Sequence, residues 1–259
     1  MINDGIIEAI RYRYALLSMV KTELKVRYRR SFLGFFWSLL HPLLTMTVTS
    51  IVFSYIMRFE LEQFVIFLFS GLLPFSFCSQ SINLSSTSII NNEGFIKKIY
   101  MPKLIFPLVT ILSNFINFIL SMTCLFIIGT FIGIQVTKAL LFIPVSLFLL
   151  LCFTLGGALI TSSSVVFYRD LTHIYDVILA TLFYATPILY PLKFLPVQLQ
   201  TILKYNPFYY IVELFRKPIF ENSIPGWDIL IGGIFVSMLF LCTGYTIFMS
   251  LEKRFVFRL

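Results

Sequence analysis

The sequence predicts an all-α integral membrane protein. It has six transmembrane helices, an N-terminal amphipathic helix at the membrane interface, and short re-entrant helices between spans five and six. Three observations lead there. The 259 residues are 58% hydrophobic and only 12% charged, against about 25% charged in a soluble domain. Runs without Asp, Glu, Lys or Arg recur along the whole chain, at 31–57, 63–92, 104–137, 139–168 and 229–251, and a bilayer needs roughly 20 such residues. Lys and Arg gather at the ends of these runs. Threading the runs back and forth puts 14 of the 20 Lys and Arg on one side, which the positive-inside rule makes cytoplasmic. Both termini then lie in the cytoplasm. The net charge of +8 is absorbed by this pattern, so nucleic acid is not an expected partner: no basic stripe lies on a polar domain.

Residues 1–30 lack the continuous apolar core of a signal peptide, since Asp4, Glu8, Arg11 and Arg13 interrupt them. Ile6, Ile7, Ile10, Tyr14, Leu17, Val20, Leu24 and Tyr28 recur instead at helical spacing. They form the stripe of an amphipathic helix, lying in the interface or packed on a soluble partner. Span one (32–57) follows a basic turn and carries His41 and Pro42. Its imidazole has no carboxylate at similar depth to relay protons with, so it reads as structural. Span two (63–90) holds Pro74 and a Ser/Asn-rich end suited to close packing or a wet lining. Residues 93–103, EGFIKKIYMPK, form a short basic segment in which Ile96, Ile99 and Tyr100 are spaced as one helical face. Docking on a soluble subunit and an ordinary basic loop both fit it.

Spans three (104–134) and four (139–167) are separated by Lys138, and span four carries Gly156-Gly157. Arg169 and Asp170 make a very short loop before span five (171–190), in which Asp176 sits about two turns from the start. Residues 191–227 are irregular. The stretch from Pro187 to Trp227 holds six of the eleven prolines, and its apolar runs are too short to span, which marks re-entrant segments. Span six (229–251) ends in Lys253 and Arg254.

No GxxxxGK[ST] loop, GxSxG elbow or HExxH helix occurs, so ATP hydrolysis and the common hydrolytic chemistries are not expected of this chain. The spans lack paired deep carboxylates for proton coupling. Cys78, Cys124, Cys152 and Cys242 each lie in an apolar run without a CxxC pair, and His41 and His173 are isolated, so no metal site is expected. What remains is a passive membrane path worked by another subunit. Most of the 30 Phe and 13 Tyr read as lipid-facing bulk. A subset on spans one, two and five has the chemistry to stack sugar faces along a tunnel.

Several segments, in this order and spacing, resemble one family: ELKVRYRRSFLGFFWSLLHPLL at span one, GLLPF in span two, FIKKIYMPKLIFPL after it, VVFYRDL after span four, TPILYP ending span five and YNPFYYIVELFR before span six. They are similar to the membrane subunit of type-2 ABC exporters for polysaccharides, the O-antigen permease (Wzm type), whose relatives export capsule and teichoic acid. His41 departs from the Asn that relatives often place before this proline. The resemblance implies a homodimer joined to two ATPase subunits, with ATP and Mg bound on the partner and no cofactor on this chain. It implies an undecaprenyl-diphosphate-linked glycan as substrate, surrounding lipids, and a bacterial inner membrane location. Arg27, Arg29, Arg30, Leu33 and Gly34 would receive the lipid diphosphate. Phe35, Phe36, Trp37, Phe75, Phe77, Phe183 and Tyr184 would line the tunnel. Glu93, Phe95, Lys97, Lys98, Tyr100, Arg169 and Asp170 would couple to the ATPase, with residues 93–103 as coupling helix. Pro191, Pro196, Asn206 and Pro207 would belong to the outer gate. Two rivals stay open: a small-molecule exporter of the same fold, and a membrane enzyme acting on lipid-linked sugars, for which Asp170 and Asp176 are the near carboxylates.

Overall fold

The computed structural model describes residues 8, 11–27, 36–57, 60–132, 137–255 and 257–258. These residues fold into α-helices and two short 3-10 turns, with no strand among them. In chain order the helices are α1 (Arg13–Arg27), α2 (Phe36–Met57), α3 (Leu61–Ser86), α4 (Ser88–Asn91), α5 (Glu93–Lys98), α6 (Ile105–Ile132), α7 (Ile143–Phe167), α8 (Leu171–Ala185), α9 (Val197–Leu203), α10 (Pro207–Ile219) and α11 (Trp227–Phe255). The 3-10 turns are Lys138–Phe142, leading into α7, and Leu192–Phe194.

Among the described residues four helices are long and apolar enough to cross a membrane: Leu61–Ser86, Ile105–Phe131, Lys138–Phe167 and Trp227–Phe255. Two shorter apolar helices, Leu43–Ile56 within α2 and Leu171–Ala185, accompany them. The sequence expectation for span five ran to Tyr190. The helix stops at Ala185, because Thr186 turns to extended backbone one residue before Pro187, a position that proline biases away from helix.

The hub of the bundle is α3 against α6, α7 and α10, with α7 packed most extensively on α11. Phe64, Phe67, Phe75, Phe77, Phe118, Phe153, Phe208 and Phe215 are all buried in its core. Phe75 meets Phe208 at 4.9 Å and Phe77 meets Phe118 at 5.1 Å between ring centroids, within the range where aromatic pairs attract beyond their area. Small residues bring the helices close. Ser81, Ser85, Ser86, Ser162 and Ser163 are fully buried, and Thr161 Oγ1 donates to the Ile82 carbonyl at 3.1 Å. The tightest approach is between α7 and α11. A Cβ on Gly156 would lie 2.2 Å from the Phe240 carbonyl, and one on Gly244 would lie 2.3 Å from the Gly156 oxygen. No side chain but hydrogen fits at that crossing.

α1 packs along α6. Val20, with Tyr12, Leu16, Met19 and Leu24, covers Ile105 and Val109, while Tyr14 and Leu17, placed on the same stripe from the sequence, face outward. The packing face is therefore rotated from the expected one. Polar pairing fixes the rotation: Arg27 Nη1 donates to Asn114 Oδ1 at 3.0 Å, and Ser113 Oγ donates to Glu23 Oε2 at 3.1 Å.

α4, α5 and the Tyr168–Asp170 turn lie at one end of the bundle, and α9 and α10 at the other. At the α10 end, Asn206 caps α10 by accepting from the Phe208 amide at 3.0 Å, with Pro207 at the first helical position, the arrangement expected at a helix start. Asn222, at φ 52°, turns the chain out of α10 toward α11.

Candidate functional site

Three neighbourhoods collect the residues singled out from the sequence. The first is the α5 end. Phe95, Lys97, Lys98, Ile99 and Tyr100 are exposed there, and so are Tyr168, Arg169 and Asp170 on the neighbouring turn. Lys97 donates to Glu93. That hydrogen bond, then the Lys97 and Arg169 charges, holds the Glu93 carboxyl below the usual range, so the Arg169 turn lies within electrostatic reach of α5. Tyr100 donates to Glu8 at 3.4 Å, and that carboxylate pushes the phenol pKa up. The chain after α5 is held by Glu252 of α11, which accepts from the Lys103 amide at 3.2 Å.

The single helical face expected of Ile96, Ile99 and Tyr100 does not form. α5 ends at Lys98 and Ile99 is extended, at φ −133° and ψ 133°. Ile96 turns inward to the cluster of Ile89, Leu104 and Phe248, leaving Phe95, Ile99 and Tyr100 as the exposed apolar side chains. An exposed apolar patch rimmed by charge suits a protein partner.

The second neighbourhood is a groove of about 620 Å³ beside it, between α1 and the α3–α6 side of the bundle. Glu23, Arg27, Asn91 and Asn92 line it together with Met19, Phe95 and Val109. It is amphipathic, and Arg27 is its cation among the lining residues. Arg29, Arg30, Leu33, Gly34 and Phe35 lie outside the described residues; Phe36 and Trp37 open α2.

The third is the α10 end. Arg216 is 3% exposed, with Glu213 beside it at 3.1 Å. Its guanidinium donates to the carbonyls of Pro187 (2.7 Å) and Ile188 (3.3 Å) and stacks over the Phe67 ring at 4.0 Å. Asn206 Nδ2 donates to the Ala185 carbonyl at 3.0 Å and to Thr186 Oγ1 at 2.9 Å. Two side chains of the α10 segment thus grip the end of α8. Pro191 is buried and starts the 3-10 turn; Pro196 is exposed and precedes α9. Neither Glu213 nor Arg216 was singled out from the sequence, and this block was missed. The available signal was Glu213 and Arg216 at three-residue spacing on one helical face.

The aromatic candidates divide. Phe77 is enclosed by Phe115 and Phe118, and Phe75 by Phe183 and Phe208. Both are 4% exposed. This corrects their assignment to a tunnel wall: a ring enclosed by aromatics of its own chain has no exposed face to offer. Tyr184, 69% exposed, keeps such a face, stacked edge-on against Phe183 at 5.2 Å.

Comparison with known proteins converges on one family. The family model described as "ABC-2 type transporter" matches residues 14–220. An O-antigen export system permease protein RfbA of Myxococcus xanthus is 33% identical, with 96% of each chain covered. One of the same name from Klebsiella pneumoniae is 28% identical over 94% of this chain and 95% of its own. The polysialic acid transport protein KpsM of Escherichia coli is 26% identical, with 88% of each covered. A family match across most of the chain, near-full-length similarity to export permeases, and long apolar helices all agree: the chain is a membrane protein belonging to the ABC-2 type transporter family.

Proposed function

We propose that the chain is the transmembrane subunit of an ABC exporter that moves an undecaprenyl-diphosphate-linked polysaccharide, O-antigen in the first instance, across the bacterial inner membrane. The observation that carries this is similarity over 96% of the chain to a protein named as an O-antigen export permease. Export of a capsule polymer is the second reading, favoured by the similarity to the polysialic acid transport protein; teichoic acid export belongs to the same group.

In this reading two copies pair with two ATPase subunits, which bind ATP and Mg, and this chain binds no cofactor. Six spans cross the membrane, formed by α2, α3, α6, the 3-10 turn with α7, α8 and α11, with both termini cytoplasmic. α1 lies at the interface beside the groove, where Arg27, held by Asn114 and Glu23, would meet the lipid diphosphate through its remaining donors. Arg29, Arg30, Leu33 and Gly34 would complete that entrance. Residues 93–103 would be the coupling segment, its exposed Phe95, Lys97, Lys98 and Tyr100 and the Arg169-Asp170 turn facing the ATPase. α9 and α10 would form the outer gate with Pro191, Pro196, Asn206 and Pro207. Tyr184, Phe183, Phe35, Phe36 and Trp37 would contribute to the path.

The test is charge reversal of Lys97 and Lys98 together. Both side chains are exposed, so the fold should survive. ATPase co-purification and glycan at the cell surface should both be lost, while the purified double variant keeps its thermal midpoint. Unimpaired export in K97E/K98E sinks the coupling assignment.

A further inference from the structure

Most polar side chains on the outer faces of the long helices look after themselves. Thr47, Thr123, Thr243 and Thr246 donate to the carbonyls four residues back, at 2.8, 2.9, 2.6 and 2.8 Å. A helix face carrying such threonines can meet lipid without an orphaned donor.

One patch has no such outlet. Gln80 and Asn83 lie three residues apart on α3; His173 and Asp176 lie three residues apart on α8. Gln80, His173 and Asp176 are exposed on the protomer and Asn83 is half-buried. Asn83 Nδ2 donates to Asp176 Oδ1, which joins the two pairs. Asp176 is five residues into α8 and Gln80 six residues from the end of α3. At 1.5 Å per residue this places the patch about 8–9 Å inside the ends of these two apolar helices. A carboxylate at that depth is costly against lipid and belongs on a wet path or a protein contact. The same face of α8 continues through Val177 and Ala180 to Tyr184, all exposed and at helical spacing from His173. That face is hydrogen-bonding toward the α5 end and aromatic toward the α10 end.

We propose that Gln80, Asn83, His173 and Asp176 form a hydrogen-bonding subsite on the wall of the path that takes the hydroxyls of a neutral glycan, and that the Asp176 carboxylate disfavours a polyanionic chain. This rests on the polysaccharide-export reading and names its substrate class. A carboxylate and two carboxamides offer acceptors and donors suited to hydroxyl pairs. A neutral sugar meets no charge penalty there. An anionic sugar passing within about 10 Å of Asp176 meets a repulsion that, in a partly wet site, corresponds to about a tenfold disadvantage.

The test uses the full chain with its ATPase subunit, in a bacterial host lacking its own permease and supplied with either a neutral or a polyanionic lipid-linked glycan. Wild type should favour the neutral polymer, and Asp176→Asn should raise the polyanionic-to-neutral export ratio about tenfold. In parallel, Gln80→Cys and Asp176→Cys, each in a Cys242→Ser chain, are treated with a membrane-impermeant methanethiosulfonate. Both should label, and both should be protected when a glycan chain occupies the path. Leu239→Cys, on the exposed face of α11, is the unlabelled control. The subsite is refuted if the export ratio does not move in Asp176→Asn, or if the two α3/α8 positions react no faster than position 239. Wild type exporting neither glycan would overturn the export reading itself.

Discussion

Arg216→Met tests the block that joins α8 to α10. The guanidinium holds two backbone carbonyls and the Glu213 carboxylate, and it is 3% exposed. Its removal leaves a buried carboxylate without its cation and two carbonyls without donors. Breaking a buried ion pair from one side costs about 3–5 kcal/mol. Glu213→Met should cost less, since Arg216 would keep its carbonyl partners. The double variant E213M/R216M separates the contributions. It removes both charges, and exchanging a whole buried pair for apolar side chains is often near neutral. The orphaned carbonyls remain, at about 1–3 kcal/mol each at most. The double variant should therefore be more stable than R216M alone, with a coupling energy of about 2 kcal/mol between the two sites. Thermal and denaturant unfolding of the purified protein in one mild detergent gives the four corners of the cycle. Additive or worse losses in the double variant would refute the reasoning, since they would mean that the two charges do not stabilise one another. The carbonyl ties predict that export stays impaired in the double variant even where stability returns.

Gly156→Ala should lower the unfolding free energy by about 1–3 kcal/mol through overpacking against the Phe240 backbone, outweighing the roughly 1 kcal/mol that alanine gains over glycine in a helix; an unchanged unfolding midpoint would mean that α7 and α11 are not in backbone contact. Phe77→Ala should cost about 3–5 kcal/mol of stability without altering which glycan is exported. Tyr184→Ala should leave stability within about 0.5 kcal/mol and reduce export, so the paired measurement separates the core ring from the path ring.

The long helices were legible because each is written as an uncharged run with charge at its ends, and a bilayer tolerates little else. α3, α6, α7 and α11 lie close to where the runs lie. α10 was not legible as a packed helix. VELFRK reads as surface, and only the fold brings the Pro187 and Ile188 carbonyls, the Phe67 ring and the side-chain-free Gly71 around Arg216; a Cβ on Gly71 would lie 2.7 Å from its Nη2. Phe75 and Phe77 were visible as aromatics, but which way an aromatic faces is set by neighbours distant in sequence. At α5, spacing suggested one face for Ile96, Ile99 and Tyr100, but the helix ended after six residues. The Asp176 patch was half legible: the carboxylate stood out in its apolar run, while its partner Asn83, 93 residues away, did not.

The glycine crossing of α7 and α11 has a mechanical consequence. Where a Cβ on Gly244 would lie 2.3 Å from the Gly156 oxygen, the two rods cannot slide past each other by a turn, because the next residues to arrive would bring side chains into a backbone. Nor can they roll without losing the fit. These two helices form a stator. Any rearrangement of the bundle must then be made by elements outside this pair, against a frame that keeps its shape.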